Sequence, residues 1–410
     1  MSKCRGQHVC RRLCAKSVRL ILEPYSQCLI SQGFSKLRHR RHVRVVEHFG
    51  RWVGRRHVSR PLVPQFLDQG LPACQCSKVN HDRRLNRAAL HHLLEMLGQG
   101  RRETALPQGW RGDLLRRYQE HLVKARGLAP ATICQHMRYT LAMLRRLGVR
   151  RPSQFMGWTP ELVEQYVAGV GRFASPRIRH VGWCTRSFLR FLLHDGLIRR
   201  DLAAAVPPVA RWRLASLPTI LRKEEVHRLL GAAEIQTPLG RRDYAIVLCM
   251  SELGLRGADV ANLQIGNIDF AACVMRVCQR KEREAAIFPM TRRLCTALKV
   301  YLRRDRPVCT STAVFVRHNA PLGKPLTSLG IHSVVLRLAR RAGLRDRVHG
   351  AHVLRRSLAS RMLNAGATLK QIADFLGHTS IDTTTLYAKV DLATLSRVAL
   401  PWPVRKGVRP

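Results

Sequence analysis

The chain has 410 residues, of which 72 are lysine or arginine and 26 are aspartate or glutamate, giving a formal charge of +46. This length is sufficient for two or three domains. The excess of positive charge favours a polyanionic partner, with nucleic acid as the leading candidate. No apolar stretch approaches the roughly 18 residues that a membrane span requires, and Met1–Arg12 lacks the apolar segment of a signal peptide. A cytoplasmic location without a membrane partner is therefore expected.

Arginine dominates the basic residues, with 60 arginines and 12 lysines in the chain. A guanidinium group can bond two phosphate oxygens at once, which suits a nucleic-acid partner. A GC-rich genome also raises arginine content, although it does not by itself lower the content of aspartate and glutamate. The basic residues are spread along the chain, which makes binding to a membrane surface the weaker alternative.

The 13 cysteines lack the paired spacing of a zinc finger or a disulfide framework, so we expect free thiols, no metal and no other cofactor. Zinc ligands can nevertheless be imagined in two places. These are Cys4, His8, Cys10 and Cys14, or Cys74, Cys76 and His81.

Residues 1–100 form a basic N-terminal region of unclear role. Residues 1–60 contain 15 basic and 2 acidic side chains, which is typical either of a DNA-gripping arm or of a poorly ordered basic leader. The apolar spacing of residues 87–97 predicts a helix, and the glycines and proline of residues 99–109 indicate a linker.

Helical periodicity extends through residues 110–205 and predicts a module of four short amphipathic helices with basic exposed faces. Thr159 followed by Pro160 is typical of a helix N-terminus. The prolines in residues 206–217 indicate a second linker.

Residues 216–410 combine helices with short strands, which predicts an α+β fold that is mostly helical. The predicted helices span 223–233, 239–253, 291–304, 327–342, 350–365 and 368–376. The predicted strands are Val274–Gln279, Ala285–Pro289 and Ala313–Val316.

This last region also contains a set of residues that could cleave a phosphodiester bond without metal or nucleotide. The transition state carries extra negative charge, which two guanidiniums can stabilise. A tyrosine nucleophile needs help to lose its proton, and the departing oxygen needs a proton from an acid. No P-loop, HExxH or GxSxG motif offers another chemistry. The candidate catalytic residues are Arg256, Lys281, His352, Arg355, His378 and Tyr387.

The spacing of these residues is compatible with one site. His352 and Arg355 are three residues apart on a predicted helix and therefore share a face. Gly377 permits a tight turn between two helices just before His378.

The motifs that contain these residues resemble those of the phage-integrase, or tyrosine recombinase, family. His352-x-x-Arg355, Leu376-Gly-His378 and the tyrosine nine residues later are similar to its C-terminal motif. Leu253-Gly-Leu-Arg256 resembles its first arginine block, and Asp259 lies where an acidic residue usually supports that arginine. Lys281, eight residues before Pro289, matches the lysine of its β-hairpin. Two departures remove no catalytic group: Gly-Ala-Asp follows Arg256 in place of the commoner Ile-Ser-Glu, and Arg356 stands where histidine is frequent.

The resemblance covers about residues 110–400 and implies a SAM-like helical core-binding domain (110–205) and a mixed α/β catalytic domain of the DNA breaking-rejoining type (216–410). Both domains clamp duplex DNA in this family. The resemblance implies that Tyr387 forms a 3′-phosphotyrosyl link, with His352 as its base and Lys281 as the acid for the leaving oxygen. It also implies that Arg256, Arg355 and His378 bind the phosphate.

The family further implies four copies on two recombination sites, with sister recombinases as a variant of that assembly, and a location at the nucleoid. The residues from Ile381 to Asp391 and the ending Ala399-Leu-Pro-Trp-Pro403 favour an integrase of a mobile element, acting in integration, excision or transposition. The alternatives are a related DNA-binding protein without chemistry, a type IB topoisomerase and, more distantly, a basic RNA-binding protein.

Overall fold

The computed structural model of the protein describes residues 16–54, 56, 58–74, 81–98, 109–170, 176–208, 218–278, 285–377 and 384–385. The chain divides into a larger unit, formed by Met1–Leu90 and Leu214–Pro410, and a smaller unit, His91–Arg213. Helices predominate and the strands form one small sheet, so the predicted α+β class is confirmed. None of the helices in these described ranges has the length and apolar character needed to cross a bilayer.

The larger unit begins with two helices, α1 (Lys16–Ser31) and α2 (Lys36–Val53), which pack against each other. The alternative of a poorly ordered leader is therefore wrong for residues 16–53, because α2 buries Val45, Val46, Phe49 and Val53 at helical spacing. The residues that follow form α3 (Leu62–Gln65), which continues as a π-turn, and α4 (Arg83–Met96), which confirms the helix predicted at 87–97.

Four helices of the smaller unit confirm the predicted helical module. Each brings an apolar stripe to one core that also contains the fully buried ring of Tyr118. The Tyr118 hydroxyl donates to Ser187 Oγ at 3.0 Å and lies 2.9 Å from His136 Nδ1, so this buried polar group is satisfied. The helices are α5 (Trp110–Lys124), α6 (Pro130–Arg146), α7 (Pro160–Ala168) and α8 (Pro176–His194).

The remainder of the larger unit contains seven helices and a three-stranded sheet within the described residues. The helices are α9 (Lys223–Gly231), α10 (Pro238–Glu252), α11 (Gly257–Asn262), α12 (Arg292–Val300), α13 (Ser328–Arg341), α14 (His352–Asn364) and α15 (Leu369–Leu376). The strands are β1 (Ile268–Asp269), β2 (Val274–Cys278) and β3 (Ala285–Pro289). Apart from the short α11 and β1, all of these elements match predicted ones.

Helix α10 is the central element of this core. Every residue from Ala245 to Ser251 is buried, as expected for a helix that neighbouring elements surround on all sides. It packs against α9, α11, α12 and α14. The turn that follows α10 therefore begins in the interior of the fold.

The sheet is antiparallel in the order β1-β2-β3, and Cys278 pairs with Ala285 across the last two strands. The strand predicted at Ala313–Val316 is wrong. Ala313 forms a single bridge with Gln264, while Val316 forms one with Pro325. Because the two ends bridge to different segments, and proline has no amide hydrogen to donate, no continuous ladder can form.

Candidate active site

The first candidate arginine follows the buried end of α10. The chain leaves the helix at Glu252 and turns through Gly254, whose φ of 63° lies in the left-handed region. Arg256 then caps the N-terminus of α11. Its side chain is 37% exposed, so it is partly accessible to solvent.

Asp259 holds Arg256 in this position. The Arg256 amide donates to Asp259 Oδ2 at 3.1 Å, and the guanidinium Nη1 lies 4.0 Å from the same oxygen. Asp259 is 8% exposed, so the carboxylate fixes both the backbone and the side chain from the protein side. The predicted pairing of these two residues is confirmed by this contact.

The second candidate arginine lies in the first turns of α14 and is almost completely buried. Arg355 is 3% exposed, and its Nη1 donates to Gly254 O at 2.8 Å. Its Nη2 donates to Leu376 O, at the end of α15. The side chain thus connects α14 with the turn that precedes Arg256 and with the last residue of α15.

The two arginines converge on one short stretch of backbone. Arg256 Nη2 donates to Gly377 O at 3.0 Å, and Gly377 directly follows the Leu376 carbonyl that Arg355 bonds. These carbonyls lie at the C-terminal end of α15, where the helix dipole is negative and favours nearby cations. Gly377 adopts the left-handed conformation at φ 58°, which confirms the predicted turn. Two guanidiniums from distant parts of the sequence are thereby held beside each other.

His352 is the first residue of α14 and is exposed at the surface. Partial desolvation, followed by the positive charges of Arg355, Arg356 and Arg256, lowers the pKa of His352 to about 4. Its imidazole is therefore neutral at pH 7 and can accept a proton.

Three of the six candidate residues, Lys281, His378 and Tyr387, lie outside the described residues. The helix predicted from Ile381 to Leu386 also falls there, apart from residues 384–385. Lys281 belongs to the segment between the paired residues Cys278 and Ala285. His378 directly follows Gly377, whose carbonyl bonds Arg256.

Two further residues position the site and were missed from the sequence. Ser357 accepts a hydrogen bond from the Leu221 amide at 2.7 Å and donates to Val353 O at 2.8 Å, which ties the start of this part of the chain to α14. Arg361 Nη2 donates to Ser251 O at 2.7 Å and so joins α14 to the end of α10. Helix α14 contains seven polar or charged residues among its 13, so the sequence did not single out these two.

Gly254 is the third residue that sequence reasoning left without a role, although it belongs to the Leu253-Gly-Leu-Arg256 block. A Cβ atom at this position would lie 2.6 Å from Leu376 Cδ2 and 3.0 Å from Leu358 Cδ2. Glycine therefore permits the turn after α10 to approach α15 closely enough for Gly254 O and Leu376 O both to accept hydrogen bonds from Arg355.

Two of the imagined zinc ligands, Cys74 and His81, lie among the described residues. Cys74 Sγ lies 4.0 Å from His48 Nδ1. Across the described part of the chain, however, no three histidine, cysteine or acidic side chains are grouped so that they could hold a metal ion. Cys76 and the set from Cys4 to Cys14 lie outside it.

Comparison with known sequences identifies relatives along nearly the whole chain. Residues 219–393 match the model of the phage integrase family, and this range contains all six candidate positions. The protein named "Putative integrase/recombinase y4rA" of Sinorhizobium fredii (strain NBRC 101917 / NGR234) is 33% identical over 400 residues, which cover 94% of this chain and 95% of that protein. Tyrosine recombinase XerD of Listeria monocytogenes serovar 1/2a is 28% identical over 301 residues, which cover 70% of this chain and 97% of that protein.

Solved structures agree with these relatives at the level of the fold. A lambda integrase dimer bound to a COC′ core site has a TM-score of 0.53 at 17% identity, covering 67% of this chain and 94% of that one. The XerH site-specific recombinase bound to a palindromic difH substrate has a TM-score of 0.52 at 17% identity, covering 82% of this chain and 93% of that one. Together with the match along nearly the full length of y4rA, these findings establish that the chain belongs to the phage integrase family of tyrosine-type site-specific recombinases.

Proposed function

We propose that this recombinase cuts and rejoins duplex DNA at a specific site through a 3′-phosphotyrosyl intermediate on Tyr387. The observation that carries the proposal is the convergence of Arg256 and Arg355 on the adjacent carbonyls of Leu376 and Gly377. A pair of guanidiniums held in this way can bind the two non-bridging oxygens of one phosphate.

In the proposed reaction the Tyr387 oxygen attacks phosphorus, and the bond from phosphorus to the 5′ oxygen breaks. The phenol proton passes to His352, and the 5′ oxygen takes a proton from Lys281, so that charge and protons balance. Arg256, Arg355 and His378 bind the phosphate throughout. Rejoining reverses these steps with the 5′ hydroxyl of the partner strand as nucleophile.

The electrostatic state of His352 supports its role as the base. With a pKa of about 4 the imidazole is neutral at pH 7, and a neutral imidazole is the form that accepts a proton. The burial of Arg355 supports a second part of the proposal. A cation in a site of low polarity stabilises the charge of the transition state more strongly than one in water.

The test begins with the DNA site, which is obtained by selecting the most tightly bound sequences from a pool of randomised duplexes. The selected duplex is nicked next to the expected cleavage position, so that cleavage releases a short fragment and traps the protein on DNA. We expect a covalent adduct on a denaturing gel with the wild type and none with Tyr387→Phe. Equal adduct from both proteins overturns the assignment of Tyr387, and binding without any adduct indicates a DNA-binding protein without chemistry.

We propose further that four copies act on two sites, alone or with sister recombinases, at the nucleoid and in the service of a mobile element. The integrase names of the relatives and the residues that follow Ile381 support the mobile-element part of this proposal. Light scattering of the complex with two selected duplexes tests the assembly, for which we expect a tetramer. A monomer that relaxes supercoiled DNA without joining two sites would instead indicate topoisomerase activity.

A further inference from the structure

Helix α2 has two different faces. One is buried through Val45, Val46, Phe49 and Val53. The other is basic and consists of Lys36, Arg40, Arg41 and Arg44, all of which are exposed; we call it the α2 basic face. Lys36, Arg40 and Arg44 are four residues apart, and Arg41 lies three residues before Arg44, so these pairs are neighbours on the helix surface. They extend along about 12 Å of the helix axis, at about 1.5 Å per residue.

The charge of the α2 basic face is not balanced by nearby acidic groups. Helices α1 and α2 contain only two acidic residues, Glu23 and Glu47. Glu47 lies 4.0 Å from Arg51, one turn beyond the basic face. Within the part of the chain that the structure describes, none of the four basic side chains forms an ion pair. Like charges one turn apart repel each other, so this arrangement favours a polyanion as partner.

The helix is anchored to the rest of the larger unit. The Leu322 amide donates to Gln32 O at 3.0 Å, in the turn between α1 and α2. The Ser35 side chain accepts from the Arg38 amide and caps the helix. The α2 basic face therefore lies on a capped helix in the same unit as Arg256 and Arg355.

A membrane surface does not fit this helix as a partner. A helix that binds in the bilayer interface inserts its apolar face, and the apolar face of α2 is already buried inside the protein. One exposed leucine on the basic side, Leu37, is too little for insertion. Phosphate groups of a nucleic acid match exposed guanidiniums without any insertion.

From these observations we propose that the α2 basic face binds the phosphate backbone of duplex DNA and adds a contact that is independent of the catalytic site. The inference rests on the proposed function in taking duplex DNA as the partner. Contacts to phosphates position a protein without reading the base sequence. The face therefore contributes affinity and salt dependence, and the choice of site resides elsewhere.

The experiment compares two triple variants of the full-length protein. The test variant carries Lys36→Gln, Arg40→Gln and Arg44→Gln, because glutamine removes the positive charge, stays polar and is a good helix former. The control variant removes three exposed charges elsewhere in the larger unit, by Arg228→Gln, Arg303→Gln and Arg340→Gln. Circular dichroism and thermal unfolding establish that both variants fold like the wild type. Affinity for the selected duplex is then measured at several salt concentrations.

For the test variant we expect binding that is about tenfold weaker or more at 0.1 M salt. The slope of log K against log salt should be smaller by about 2 to 3, since each phosphate contact contributes about 0.9. The protein concentration that gives half-maximal adduct should rise by the same factor as the Kd. The control variant should change affinity less than threefold.

Two results overturn the inference: a test variant that binds like the wild type at every salt concentration, or a control variant that loses as much affinity. A test variant that loses affinity for single-stranded RNA and not for duplex DNA overturns it as well. If the proposed function is wrong and this inference is right, the wild type forms no adduct, while the test variant still binds duplex DNA more weakly than the wild type.

Discussion

Replacing Gly254 by alanine tests whether close packing at the end of α10 sets the positions of the two arginines. The Gly254 carbonyl accepts from Arg355 Nη1, and the residue precedes Arg256 by two positions. The added methyl group would lie 2.6 Å from Leu376 Cδ2 and 3.0 Å from Leu358 Cδ2. These distances are too short for carbon atoms, so α14 and α15 must shift or the turn must open.

The cost of this change has two parts. An L-residue in the left-handed region is less favourable than glycine by about 1 to 2 kcal/mol. Overpacking of a tight core contact adds about 1 to 3 kcal/mol. We therefore expect Gly254→Ala to lower the free energy of unfolding by about 2 to 5 kcal/mol. At about 2 to 4 °C per kcal/mol for a large domain, the Tm falls by roughly 4 to 20 °C.

Two glycines separate the parts of this cost. Gly343 has a φ of 68° and Gly266 lies outside the left-handed region, and in neither case would a Cβ atom meet another atom within 4 Å. Gly343→Ala should show the conformational cost alone, and Gly266→Ala should be close to neutral. Thermal unfolding of the four proteins measures stability, and adduct formation at 15 °C, where all are folded, measures the site.

We expect Gly254→Ala to slow adduct formation at least tenfold and Gly343→Ala to leave it within threefold. The reason is that only Gly254 touches residues that hold the guanidiniums. If Gly254→Ala is no less stable than Gly343→Ala and cleaves at the wild-type rate, the packing argument for the two arginines is refuted.

Three more predictions concern single side chains. Arg355→Lys should slow adduct formation about 100-fold or more, because lysine cannot bond two carbonyls as a planar fork; a loss under threefold contradicts the assigned role. Ser357→Ala should lower the free energy of unfolding by about 1 to 3 kcal/mol, since the buried Leu221 amide loses its acceptor. The control Ser333→Ala removes a hydroxyl that bonds only its own helix and should lower it by less than about 0.5 kcal/mol. Equal Tm values for the two variants would contradict this prediction. Burial, with nearby positive charge, lowers the pKa of His48 and His136 to about 4. As the pH falls, these histidines therefore bind protons in the unfolded chain before they do so in the folded protein. The free energy of unfolding should decrease below pH 6.5, by about 2 kcal/mol per histidine at pH 5. A Tm that is constant from pH 7 to 5 would contradict this.

The sequence was informative where apolar periodicity was clear. The helices around the site were predicted to within one or two residues at most ends, because their apolar stripes repeat at helical spacing. Helix α11 was missed because six residues are too few to establish a period. Helices α1 and α2 were missed for another reason. Dense arginines make the segment polar on average, although the spacing of Val45, Phe49 and Val53 already indicated a buried helical face.

The sequence predicted candidate residues for the site, which stay predictions, and did not indicate the contacts that support them. The order of the motifs predicted Arg256, His352 and Arg355 as candidates, and the position of Asp259 three residues after Arg256 predicted that it supports this arginine. Backbone carbonyls carry no sequence pattern, so the role of the α15 end as their common acceptor could not be read from the chain. The Ala313–Val316 prediction failed similarly, since an apolar run of four residues does not reveal whether a continuous partner strand lies beside it.

In the proposed function, His352 connects DNA binding to the chemistry. The guanidiniums of Arg355, Arg356 and Arg256 contribute to its low pKa, and in the proposed function two of them bind the scissile phosphate. A bound phosphodiester offsets part of that positive charge, so the pKa of His352 should rise from about 4 towards its ordinary 6.5. The base would then be stronger and still mainly neutral at pH 7.

Because the neutral form accepts the proton, single-turnover adduct formation should be complete above the bound-state pKa and decline as pH falls through a midpoint between about 4 and 6.5. The pKa of His352 in the DNA-free protein, measured by NMR, should lie below that midpoint. If His352→Gln has the same midpoint as the wild type, another group is the base.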